Sequence, residues 1–171
     1  MLDVRLPEFS FAISLYVWYR DLDAMGHVNN ATYFQYFEQA RTRYWLSLMA
    51  GAAHPNPVLA AVGTPVEHDV AKLGIIVVHA ECDYVSPARL GEGLLVGVKL
   101  TEIRRKSFVL DYKIVSSEKT GSETDSRLVA TGKTVQALYD YAKAKTLPFS
   151  EDLKKKIEAR EGTIKYTDTK D

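Results

Sequence analysis

One stretch constrains the fold more than any other: between residues 30 and 49, Tyr33, Phe37, Ala40, Tyr44 and Leu48 recur at three- and four-residue spacing, flanked by Phe34 and Trp45. This spacing predicts a helix over 30–49. Its polar face is thin, made of Gln35, Glu38, Gln39, Arg41 and Thr42, so nearly every side of the helix must be buried. Around it lie β-branched and aromatic runs that predict strands over 11–20, 75–84, 93–103, 108–116 and 128–141. One strand precedes the helix and four follow it at meander-like spacing. A strongly curved antiparallel sheet wrapped round the helix covers all its sides, so the expected class is α+β with a long central helix.

The remaining segments add little regular structure. Residues 51–72 hold three prolines and two glycines and predict an irregular connection. A short surface helix is expected over 150–161, with Ser150 as N-cap, Glu151 and Asp152 in its first turn and Gly162 as its stop, while the polar residues 163–171 are expected to fray. No internal repeat is visible, so residues 1–171 are expected to form one domain with its core over about 12–145.

Composition excludes several classes of function. Hydrophobic residues make up 46% of the chain and charged residues 26%, as in chains that bury a core. Lys plus Arg and Asp plus Glu number 22 each, which leaves no global positive field for a nucleic-acid backbone. No window approaches the roughly 18 apolar residues of a membrane span, and the first 21 residues lack the basic start of a signal peptide, so a cytoplasmic protein is expected. The single cysteine, Cys82, is expected as a buried thiol. His27, His54, His68 and His79 are scattered without metal-ligand spacing, and no metal or cofactor is expected. There is no Gly-x-Ser-x-Gly elbow, phosphate-binding loop or dinucleotide fingerprint.

The chemistry concentrates in "RDLDAMGHVNNATY", Arg20 to Tyr33, which joins the first strand to the helix. Its polar groups arrive at a helix N-terminus, where the first backbone N–H groups lack intrahelical partners and the dipole is positive. Such an end binds an anion or stabilises negative charge that develops during a reaction. Asn29 and Asn30 have two readings, as helix caps or as parts of such a site. Asp21 and Asp23 likewise serve as turn formers or as groups facing a substrate, with Gly26 supplying backbone freedom and His27 a proton handler. These are the parts of an acyl-transfer site.

The run "DLDAMGHVNNATYFQYFEQAR", Asp21 to Arg41, resembles the signature of the hotdog-fold acyl-CoA thioesterases of the 4-hydroxybenzoyl-CoA thioesterase type: an Asp, a Gly three residues later, a Tyr, then Glu-x-Ala-Arg on the helix. The run "GIIVVHAECDYVSPARLGEGLLV", Gly74 to Val96, resembles that family's second strand and turn, and the likeness extends over about 12–155. The "HVNN" form is similar to the single-domain long-chain acyl-CoA branch. It is also similar to plant acyl-carrier-protein thioesterases, whose two repeats this chain has no room for.

The resemblance implies a single hotdog domain, a long helix wrapped by five or six antiparallel strands. It also implies a homodimer or homotetramer with sites at the subunit interface, and hydrolysis of acyl-CoA to free acid and CoA without a cofactor. The family's catalytic aspartate falls on Asp23, as nucleophile or as general base, the carbonyl-polarising backbone N–H on Asn30, and the helix acid on Glu38. Where many relatives have Ile, this chain has His27, a further candidate for the chemistry. Substrate contacts are expected from Asn29, Tyr33 and Phe37, and CoA phosphate contacts from Arg104 and Arg105. Two other functions fit the same residues: an acyl-carrier-protein thioesterase, and a hotdog module that binds acyl-CoA without turnover.

Overall fold

The apolar stripe folds as one helix, α1, over Asn30–Ala50. The computed structural model describes residues 6–50, 74–120 and 123–167, with side chains for 6–49, 74–116 and 126–167, so the expectation for 51–72 lies outside the described residues. The strands are β1 (Phe11–Tyr16), β2 (Ile75–Tyr84), β3 (Gly93–Arg104), β4 (Ser107–Thr120), β5 (Glu123–Asp140), β6 (Lys145–Thr146) and β7 (Lys165–Thr167), and α2 spans Glu151–Glu161. Strand order is β1-β3-β4-β5-β2, with β6 paired to β5 and β7 to β3.

The five main strands are the predicted ones, but β2 pairs with β5 instead of following a meander into β3, and among the described residues the sheet counts seven strands rather than five or six. Both additions are short. β7 runs parallel to β3, with Glu102 opposite Lys165 and Arg104 opposite Thr167, so residues 165–167 are ordered rather than frayed. Backbone pairing needs no apolar side chains, which is why "KYT" gave no signal. For the same reason β4 runs on through polar residues to Thr120 and β5 starts at Glu123, beyond the predicted end at 116 and ahead of the predicted start at 128.

β1 pairs antiparallel with β3 from Phe11 opposite Val98 to Tyr16 opposite Gly93. It ends four residues before the predicted Arg20 because Tyr19–Asp21 turn into a single 3-10 turn. β2 and β5 run antiparallel, since Gly74 O accepts from Tyr139 N at one end and Val129 O from Val85 N at the other. β2 is last in the order and mostly exposed, so Cys82 on it is half-buried rather than buried. Partial burial still pushes its thiol up to about 11.

The chain divides into two compact units. The first comprises Met1–Ala40, Ala80–Lys99 and Asp111–Lys133. Here Phe37 of α1 is fully buried and stacks on Tyr112 of β4 at 4.5 Å. A Cβ on Gly132 of β5 would lie 2.4 Å from the Phe37 ring, so only glycine admits the ring this close. On β3, Leu94, Val96 and Val98 are fully buried, while Leu95 packs with Leu6, Val115, Phe9 and Leu128. Burial of both faces explains a continuous apolar run where alternation is usual.

The second unit comprises Arg41–His79, Leu100–Leu110 and Thr134–Asp171. Trp45 of α1 stacks on Phe108 of β4 at 5.1 Å, and Phe149 meets Phe108 edge-on at 5.7 Å. α2 starts as predicted, with Ser150 Oγ accepting from Leu153 N at 3.3 Å, and stops at Gly162, whose φ of 76° favours glycine. Its fully buried Ile157 and the Tyr44 hydroxyl, which donates to Glu161 Oε1 at 2.6 Å, fix it in place. Among the described residues no helix is long and apolar enough to cross a membrane.

Candidate active site

The two loop aspartates do different work. Asp21 is buried, and its Oδ2 accepts hydrogen bonds from Trp18 N at 2.9 Å and from the Tyr36 hydroxyl at 3.0 Å. Its backbone O takes Asn29 N at 2.8 Å and Thr32 Oγ1 at 3.4 Å. Burial, together with the Asp21 carboxylate, pushes the Tyr36 hydroxyl well above its ordinary range, so it stays a donor. Asp21 therefore closes the 3-10 turn and ties it to the first turns of α1.

Asp23 shapes a second, tighter turn. Its N–H donates to His27 O at 2.8 Å, and its O accepts from Gly26 N at 3.1 Å. Oδ1 accepts from Met25 N at 2.8 Å and His27 N at 3.3 Å, while Oδ2 has no partner among the described residues. Gly26 has φ 76°, which a side chain would strain. The turn is closed by a bridge between Leu22 and Val28, and His27 forms a bridge to Arg89. The His27 residue is half-buried.

At the helix start, Asn29 is the cap: its Oδ1 accepts from Ala31 N at 2.9 Å and its O from Thr32 N at 2.9 Å. Asn30 is exposed, and its N–H has no acceptor among the described residues. Its carbonyl accepts from the Tyr84 hydroxyl at 3.0 Å, which fastens the end of β2 to this turn. The first turn of α1 carries no acidic side chain, so the positive end of the helix is not neutralised there.

The structure thus brings Asp23, His27, Asn29 and Asn30 onto one loop in the first unit. The other expected residues lie off this loop. Glu38 is exposed on α1, eight residues past Asn30 and thus about 12 Å along the helix axis. Tyr33 is buried, edge-on to Tyr84 at 5.2 Å, and burial raises its hydroxyl. Phe37 has no exposed surface, whereas its neighbour Phe34, edge-on at 6.1 Å, is 36% exposed. Arg104 and Arg105 lie in the second unit, where Arg104 Nε pairs with Glu102 Oε1 at 2.9 Å. With Phe149, Lys154 and Tyr166 they line a cavity of about 220 Å³.

Four contributors were not foreseen: Tyr36 and Tyr84, which hold the loop, and Arg127 and Glu92, which hold the neighbouring turn. Only Tyr84 and Glu92 had a local signal, the Tyr and the Gly-acidic pair that flank "VSPARL".

The model of the thioesterase-like superfamily matches residues 17–157. The acyl-CoA thioester hydrolase YbgC of Escherichia coli O6:H1 is 31% identical over 104 residues, 61% of this chain and 68% of that protein. A thioesterase of Thermus thermophilus, solved with coenzyme A and zinc, superposes with a TM-score of 0.68 at 25% identity, over 92% of this chain and 98% of that one. The 4-hydroxybenzoyl-CoA thioesterase of a Pseudomonas species superposes with a TM-score of 0.61 at 19% identity, over 85% and 99%.

Proposed function

Because the chain belongs to the thioesterase-like superfamily, we propose that it hydrolyses acyl-CoA thioesters to the free acid and CoA. One observation carries the site: an unpartnered N–H at Asn30, on a helix end free of acid, shares a loop with Asp23, whose Oδ2 is also unpartnered among the described residues. The thioester carbonyl oxygen would accept from Asn30 N–H, so the charge that develops on it meets the positive end of α1. One such donor is typically worth about 3 kcal/mol in the transition state.

Asp23 Oδ2 then has two routes. As nucleophile it attacks the carbonyl carbon, the CoA sulfur leaves, and water hydrolyses the mixed anhydride. As general base it takes a proton from the water that attacks instead. In both, the two amide bonds to Oδ1 aim the carboxylate. His27, half-buried beside it, would orient the carbonyl or the water, and Asn29 fixes the helix end through its cap. Phe34, with Phe37 behind it and Tyr33 beside it, offers the apolar wall for the acyl chain.

For the CoA phosphates the neighbouring turn offers Arg89, which is exposed and bridged to His27. A homodimer or homotetramer is supported by β2, last in the strand order with Val77 46% and Val78 57% exposed, and Glu38 would then serve a site completed by another subunit.

The deciding measurement is release of free thiol from acyl-CoAs of rising chain length, and from matched carrier-protein thioesters, by the wild type and Asp23→Asn. Turnover of CoA esters that Asp23→Asn lowers at least a hundredfold is expected, in the range that loss of a reacting group costs. Near-normal turnover by Asp23→Asn would refute the site. Acyl-CoA that binds and stays intact for hours would refute hydrolysis altogether.

A further inference from the structure

We propose that Arg127 is a positioning residue for this reaction: through Glu92 it locks the turn 86–92, and the locked turn sets where the helix start and the Asp23 loop stand. The proposal rests on the assignment of Asp23 and Asn30 above. Arg127, near the start of β5, donates to three atoms of the turn. Nη2 donates to Glu92 Oε2 at 2.8 Å, and Nη1 donates to Ser86 Oγ at 2.5 Å and to Pro87 O at 2.9 Å. Glu92 Oε2 also accepts from the fully buried Ser116 at 2.8 Å, and Oε1 accepts from Arg89 N at 3.1 Å. One guanidinium therefore holds both ends of the turn, in the planar fork geometry that lysine lacks.

What the turn holds in its own grip is the site. Ala88 O accepts from Val28 N at 2.9 Å, two residues before Asn30, and Arg89 bridges to His27. On the other side of the loop, Val17 N donates to Glu92 O and Gly91 N to Val17 O, both at 3.0 Å. The turn thus pins the chain both before and after Asp23. Without the guanidinium, Glu92 keeps only its bonds from Ser116 and Arg89 N, Ser86 and Pro87 lose their tie to it, and the turn gains room to shift, taking Val28 and Asn30 with it. A displacement of about 1 Å at a reacting group costs on the order of a hundredfold in rate.

The test uses the full chain: Arg127→Ala, Glu92→Gln, the double variant, and Arg127→Lys, measured by thiol release at saturating and limiting acyl-CoA, with amide hydrogen exchange alongside. Arg127→Ala and Glu92→Gln are expected to lower kcat by tenfold or more per folded molecule with KM within about threefold, the pattern of an interaction felt in the transition state. The double variant should be no worse than the worse single one, because both break one linkage. Arg127→Lys should recover part of kcat, since it keeps the contact to Glu92 and loses the fork. Exchange at the Val28 amide should quicken, while the Leu147 amide, bonded to Leu138 O in the second unit, serves as the unchanged control.

Unchanged kcat per folded molecule in Arg127→Ala and Glu92→Gln, or additive losses in the double variant, would overturn the proposal. If Arg127→Ala does not fold, Arg127→Lys and Glu92→Gln carry the same test. Asp23→Asn run beside them separates the two levels. Activity in Asp23→Asn removes the site assignment itself, whereas an inactive Asp23→Asn with full turnover in the Arg127 and Glu92 variants removes the positioning role alone.

Discussion

Asp21 and Asp23 stand two apart in one loop, and their replacements should fail in different ways. Asp21→Ala deletes the acceptor of the Trp18 N–H, at 2.9 Å, and of the buried Tyr36 hydroxyl, at 3.0 Å. A hydrogen bond to a charged group contributes about 1.5–3 kcal/mol, and a buried donor left without a partner forfeits its full solvation. Two such bonds put the loss at about 3–6 kcal/mol, against a total stability of about 5–15 kcal/mol. At about 2–4 °C per kcal/mol for a chain of this length, the melting midpoint falls by roughly 6–24 °C.

Asp23 differs because its bonds go to the amides of the exposed Met25 and half-buried His27, where water can replace it. Asp23→Asn should cost about 1 kcal/mol of stability or less. The assay is urea unfolding followed by far-ultraviolet circular dichroism, paired with thiol release from the best acyl-CoA. Tyr36→Phe combined with Asp21→Ala completes a double-mutant cycle, and a coupling of about 1 kcal/mol or more is expected for groups in contact. Asp21→Ala unfolding within about 1 kcal/mol of wild type would refute the buried-acceptor account. Wild-type stability with lost turnover would move Asp21 into the chemistry.

Gly132→Ala places a Cβ 2.4 Å from one Phe37 ring atom and 2.9 Å from Glu81 O, so it should destabilise by about 1–3 kcal/mol in a thermal melt, and Phe37→Leu in the same chain should recover part of that. At alkaline pH the Cys82 thiol, raised from 9.0 to about 11 in the fold, keeps its proton after the unfolded chain has released it. Its stabilisation is full below pH 9 and is lost as pH rises towards 11, and Cys82→Ala should flatten that part of the stability profile. Reaction of Cys82 with a thiol reagent at pH 8 should accordingly be slow relative to a free cysteine.

Periodicity carried most of the fold. The α1 stripe marked the helix by the 3.6-residue rhythm that burial leaves, and β-branched and aromatic runs marked the five strands even where, as in β2 and β3, burial does not alternate. What escaped lacks such a rhythm. β7 is held by backbone bonds to β3, and β1 stops early because Asp21, a single side chain, recruits Trp18 N–H into a turn. The concentration of polar groups in the loop was legible, and the resemblance set Asp23 apart from Asp21, but the different bonding of the two came from Tyr36, fifteen positions from Asp21. Arg127 and Glu92 are 35 positions apart, and no local pattern announces a pair at that distance.

The two tryptophans give the molecule a built-in pair of optical reporters. Trp45 is 2% exposed and stacked on Phe108 in the second unit, while Trp18 is 63% exposed in the first, with its backbone N–H on Asp21. An aqueous quencher should extinguish Trp18 emission and leave the bluer light of Trp45. The quenched fraction then follows the loop that carries Asp23, and the residual fraction follows the aromatic stack of Trp45, Phe108 and Phe149, without any label being attached.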